Sequence, residues 1–258
     1  MDERVKHLIE DVQATYKDVV TGNGSRIQGG NVLWDHFKAA ADACRMNAKD
    51  GERRLHECIN EFAVAKQLAD DKFICGSIAY EPNLLPSNRK IDFAADRLRD
   101  KLYVEVKTVN PYRADTEKAW SRYCELRKHH SPLANFMIHK DWMGGKLYGE
   151  AFASRSKFLE YAKAFEERLA EAKKIKEGSG VLVFCRNSIG WHCSELEDFA
   201  DFYHSGKHRT DDKFALMEEF ELKQKSTNLL RNIDHFAYLS RPVDKASVED
   251  FRFPVRGP

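Results

Sequence analysis

Lys90-Ile91-Asp92-Phe93-Ala94-Ala95-Asp96, Arg97-Leu98-Arg99-Asp100 and Lys101-Leu102-Tyr103-Val104-Glu105-Val106-Lys107 read as two strands joined by a loop at 97–100. With that loop Asp96 faces Lys101, and every other cross-strand pair follows. One face becomes Ile91/Val106, Phe93/Val104 and Ala95/Leu102, all apolar. The other becomes Asp92/Glu105, Ala94/Tyr103 and Asp96/Lys101, with Lys107 beyond. Successive side chains alternate across a strand, so this register separates the two classes, and a slip of one residue drives charges into the core.

The register has a chemical consequence. It sets Asp92 directly opposite Glu105, with Cβ atoms roughly 5 Å apart, and facing like charges destabilise a sheet. A divalent cation offsets that repulsion, because Mg²⁺ takes carboxylate oxygens at about 2.0–2.1 Å. Lys107, two residues past Glu105, projects on the same face. The plainer reading of the trio is a solvated hairpin face with an ordinary Lys–acid pair.

Ile91-Asp92 followed by Val104-Glu105-Val106-Lys107 resembles the PD-(D/E)XK motif of restriction endonucleases, Holliday-junction resolvases and related nucleases. The resemblance covers roughly residues 52–190 and implies a core ordered helix, three strands, helix, strand. Residues 52–70, 73–80, 90–96, 101–109, 151–177 and 181–185 supply that order. The expected fold class is therefore α/β: a restriction-endonuclease-like core with a mixed sheet flanked by helices, carrying an N-terminal helical extension. Two departures stand out: Ile91 occupies the place of the name-giving proline, and the glutamine frequent in the following helix is absent from 151–177.

The same resemblance implies metal-dependent phosphodiester hydrolysis. Asp92, Glu105 and the Val106 carbonyl are the implied ligands of Mg²⁺, with Mn²⁺ as a substitute. Glu61, in Asn60-Glu61-Phe62-Ala63, matches the extra acid of the first helix and is assigned a second ion or its water. Glu57, one turn earlier, is the weaker candidate. Lys107 orients the attacking water and stabilises developing charge. DNA is the expected partner, its phosphates met by Arg113, Lys118, Arg122, Arg127 and Lys128. Lys118 and Arg122 lie four apart and share a helix face. A homodimer is implied by the resemblance alone.

The bulk composition is compatible with this. The chain has 258 residues, 42% apolar and 32% charged, enough for one large domain with a real core. Its net charge of +1 excludes a generally polycationic protein, so nucleic acid must be met by a local basic patch. No apolar run approaches the roughly 18 residues of a membrane span. None of the six cysteines forms a CxxC pair, so a zinc ribbon is disfavoured and a reduced, cytoplasmic setting is expected.

Helical spacing runs through Val5, Ile9, Val12, Tyr16 and Val19, and again through Leu33, Phe37, Ala41 and Cys44, with Asn31 as N-cap. These helices form an N-terminal region, 1–50, packed on the 51–258 nuclease-like domain; residues 111–149 read as an insertion. Gly178 and Gly180 are expected to stop the helix at 151–177. Residues 195–204 and 212–225 read as helices and 233–239 as a strand. His204/His208 have zinc spacing without a placed partner, and Trp191-His192-Cys193 lacks an orienting acid. Lys90, across from Lys107, reads as surface. The competing functions are a catalytically inactive nuclease-fold module binding nucleic acid or protein, and an unrelated α/β protein.

Overall fold

The apolar stripes of the first helices need a partner surface, and a β-sheet supplies it. The structure, a computed structural model, describes residues 3–46, 50–98, 100–109, 155–186, 193–206, 228–242 and 245–256. Helix α1 (Glu3–Thr21) buries Val5, Leu8, Ile9, Val12, Tyr16 and Val20. After strand β1 (Ile27–Gln28) come α2 (Gly30–Arg45) and α3 (Gly51–Asp70). Phe62 of α3 stacks with Tyr16 of α1 at 5.5 Å and packs on Phe37 and Trp34 of α2, each at 5.6 Å.

Strands β2 (Ile74–Tyr80), β3 (Phe93–Arg97) and β4 (Lys101–Val109) follow. Then come helix α4 (Arg155–Ile175), β5 (Gly178–Arg186), helix α5 (Cys193–Ser205), β6 (His235–Ser240) and β7 (Asp250–Arg256). The seven strands described form one sheet in the order β1 to β7. β1 runs parallel to β2 and β5 to β6, whereas β2/β3, β3/β4 and β6/β7 are antiparallel. The fold is thus α/β, a mixed sheet flanked by helices.

The hairpin has the register expected from its side chains: Phe93 opposes Val104, Ala94 Tyr103, Ala95 Leu102 and Asp96 Lys101. Phe93, Ala95, Leu102, Val104 and Val106 join α1, α2 and α3 in one apolar core with Val181, Val183, Ala237 and Leu239. The opposite face carries Tyr103, whose hydroxyl donates to the carbonyls of Ala172 (3.4 Å) and Lys176 (2.8 Å) at the end of α4.

Two expectations are corrected. The N-terminal cap of α2 is Gly29, not Asn31; Gly29 turns the chain at φ 81°, and a Cβ there would lie 2.9 Å from the Tyr80 carbonyl. Gly178 and Gly180 lie inside β5 rather than ending the helix. At Gly180 a Cβ would meet Leu169 at 2.1 Å, so glycine is there to let α4 lie close on the strand. The chain divides into two compact units: one comprises 1–108, 162–187 and 230–258 and holds α1 and α2 with the sheet, and the other comprises 109–161 and 188–229. In the second unit Phe199 packs on Phe158 (5.5 Å) and Tyr203 (6.2 Å). The expected helix at 212–225 lies outside the described residues. No helix among those described is long and apolar enough to cross a membrane.

Candidate active site

The β3–β4 hairpin carries the acids. Asp92 precedes β3 by one residue, and continuing the register by one step sets it opposite Glu105. Its carbonyl accepts the Glu81 N–H at 2.8 Å and its Oδ2 accepts the Val106 N–H at 2.7 Å. Val106 therefore contributes a backbone donor to the site, while its side chain is buried in the core.

Glu105 is 0% exposed. Its Oε1 is held by the Lys107 ammonium and, at 2.6 Å, by Nη2 of Arg168 on α4. Its Oε2 is buried with no hydrogen-bond donor among the described residues. A buried carboxylate oxygen without a partner loses its hydration and gains nothing in return. Arg168 is anchored by Nη1 to the Lys90 carbonyl (2.8 Å) and by Nε to the Ala164 carbonyl (3.2 Å).

Helix α3 brings Glu61, whose Oε2 accepts from the Tyr80 hydroxyl at 2.8 Å. The Tyr80 oxygen also lies 3.3 Å from His36 Nδ1. Because the one phenolic proton goes to Glu61, the imidazole is assigned as the donor in that pair. Behind the acids, Asn60 donates to Thr108 Oγ1 (2.8 Å) and accepts from Arg241 Nε (3.3 Å), while Arg241 Nη2 meets His56 Nδ1 at 3.0 Å. Arg241 is 2% exposed, and burial pulls its pKa down to about 10. This network ties α3 to the end of β4, beside Lys107.

Burial and neighbouring negative charge shift Asp92 and Glu61 strongly. Burial, then the charge of Glu105, pushes Asp92 up to about 7, against the pull of Lys107, the Val106 N–H and Arg168. Burial, then Asp92, pushes Glu61 up to about 8, opposed by the Tyr80 hydrogen bond. For Lys107 burial favours the neutral amine, but Asp92 and Glu105 overcome it and raise the pKa above the usual lysine value. Lys107 is thus an ammonium at neutral pH, a fixed cation rather than a base.

Of the residues singled out from sequence, Asp92, Glu105, Lys107 and Glu61 share one electrostatic cluster. Glu57 does not join it; it pairs with Arg53 at 2.6 Å on the surface of α3. Lys90 is an exposed residue paired with Glu81. Arg113, Lys118, Arg122, Arg127 and Lys128 lie outside the described residues, as do Trp191, His192 and His208. His204 lies edge-on to Tyr203 at 5.1 Å. Among the described residues no three His, Cys, Asp or Glu side chains stand close enough to hold a metal together, so a cation here would rest on two carboxylates.

Sequence reading missed Arg168, Tyr80 and His36. Arg168 had a signal, since it adjoins Phe165 and Leu169 on the buried stripe of α4, and arginine is the residue suited to a buried ion pair. Comparison of the chain with protein-family models, curated proteins and solved structures finds no match.

Proposed function

We propose that this chain is a metal-dependent nuclease of the PD-(D/E)XK type, hydrolysing phosphodiester bonds in DNA. One observation carries the reading: Glu105 is fully buried, held on one oxygen by two cations, with its other oxygen lacking any donor among the described residues. A buried carboxylate oxygen without a donor is costly in a hairpin that serves the core alone, and a divalent cation would offset that cost. Asp92, one residue before the adjoining strand, would supply the second carboxylate.

Asp92 and Glu105 would hold Mg²⁺ or Mn²⁺, and such an ion supplies Lewis-acid polarisation of the phosphate and a supply of hydroxide near neutral pH. The protein's own groups do the rest. Lys107, kept charged by its acids, stabilises negative charge developing on the phosphate oxygens. The Val106 N–H fixes the Asp92 carboxylate, and Tyr80 fixes that of Glu61. Glu61 stands with one oxygen taken by Tyr80, which suits it to hold a water rather than to be a primary ligand. The order of α3, β2, β3, β4, α4 and β5 supports a restriction-endonuclease-like core.

The test is cleavage of plasmid DNA by the full chain with Mg²⁺, with and without EDTA. Glu105→Ala and Lys107→Ala are each expected to lower cleavage at least about 100-fold, the scale on which single electrostatic catalytic groups act. Full cleavage by both variants, or cleavage untouched by EDTA, removes the proposed site.

A further inference from the structure

We infer that Arg168 and Lys107 form a two-cation clamp for the substrate phosphate, occupied in this structure by Glu105 Oε1. The inference rests on the nuclease reading and assigns Arg168 a role that the motif residues do not predict.

Arg168 Nη2 and Lys107 Nζ reach a single oxygen, Glu105 Oε1, and leave Oε2 with no donor among the described residues. If the two cations served only to satisfy Glu105, one on each oxygen would serve better, since a carboxylate has two equivalent acceptors. Two cations fixed on one point instead mark a position for an anionic oxygen. A phosphate oxygen has the same acceptor character, and arginine's planar fork matches it.

Arg168 is set by two backbone carbonyls, Lys90 and Ala164, that bind Nη1 and Nε but leave Nη2 aimed at the site. Its side chain is 17% exposed and that of Lys107 is 25%, so both remain within reach of solvent and of a ligand.

Glu105 Oε1 takes both cations in this structure, so a phosphate oxygen competes with it for the clamp, and a divalent cation holding Glu105 would leave Arg168 and Lys107 free for a phosphate.

The probe is dimethyl phosphate, titrated into the full chain by ³¹P NMR with and without Mg²⁺, alongside Mn²⁺ affinity by calorimetry. Wild type is expected to bind dimethyl phosphate only with Mg²⁺. Arg168→Ala should weaken that binding about 10- to 100-fold, as loss of a charged hydrogen-bond donor does, and leave Mn²⁺ affinity undiminished. Arg168→Lys, which keeps the charge and loses the fork, should fall between and serves if the alanine variant does not fold. Unchanged phosphate binding in the lysine and alanine variants, no Mg²⁺-dependent binding by wild type, or loss of Mn²⁺ affinity in folded Arg168→Ala each overturns the clamp. If Arg168-dependent phosphate binding occurs without DNA cleavage, the clamp stands and the nuclease reading falls. If DNA is cleaved but the variants bind phosphate normally, only the clamp falls.

Discussion

Asp92 and Glu61 hold protons at a pH where ordinary carboxylates have lost them, and this has a measurable cost. Burial and neighbouring acids lift them to about 7 and about 8. In the unfolded chain they titrate near 4. Between those limits the folded state binds more protons than the unfolded one, so the contribution of these groups to stability declines as pH rises from about 4 towards 8. Asn cannot ionise but can still accept from the Val106 N–H. Asp92→Asn is therefore expected to gain in melting temperature relative to wild type as pH is raised from 5 to 8 without metal. A difference that stays flat over that range contradicts the raised pKa. The same linkage makes cation binding compete with protons.

At the scale of elements, α3 does two jobs. Its polar edge delivers Glu61, and its apolar face delivers Phe62 to an aromatic cluster drawn from α1 and α2. Phe62 is fully buried, so Phe62→Ala leaves a void lined by Tyr16, Trp34 and Phe37. A loss of about 3–5 kcal/mol in unfolding free energy is expected by urea denaturation; a loss below about 1 kcal/mol shows that the helices are not packed as described. The hairpin was legible because its partners are near in sequence and its alternation admits one register. The short edge strands were not. β1 has two residues, Ile27 and Gln28, too few to show any period. β7, Asp250-Phe-Arg-Phe-Pro-Val-Arg, contains Pro254, which argues against a strand unless it lies at an edge.

For the molecule as a whole, the N-terminal helices are structural members of the sheet's own unit. α1 and α2 place Leu8, Ile9, Val12, Tyr16, Leu33 and Phe37 in the same core as β2 to β6. Removing residues 1–50 takes away β1 and uncovers apolar residues of α3 such as Phe62, which α1 and α2 cover. The truncated chain is expected to lose near-UV circular dichroism and its cooperative thermal transition, whereas a truncated chain that melts cooperatively at the wild-type temperature refutes the shared core.

The sequence by itself determined the helical faces, the β3–β4 register and hence the meeting of Asp92, Glu105 and Lys107, because each depends on periodicity or on residues little more than a dozen apart. Only the tertiary structure decided that Glu105 is fully buried, that Arg168 reaches it across 63 residues of sequence, and that Tyr80 holds Glu61. Such contacts form where separate elements pack, and packing of distant elements leaves no repeating signature along the chain.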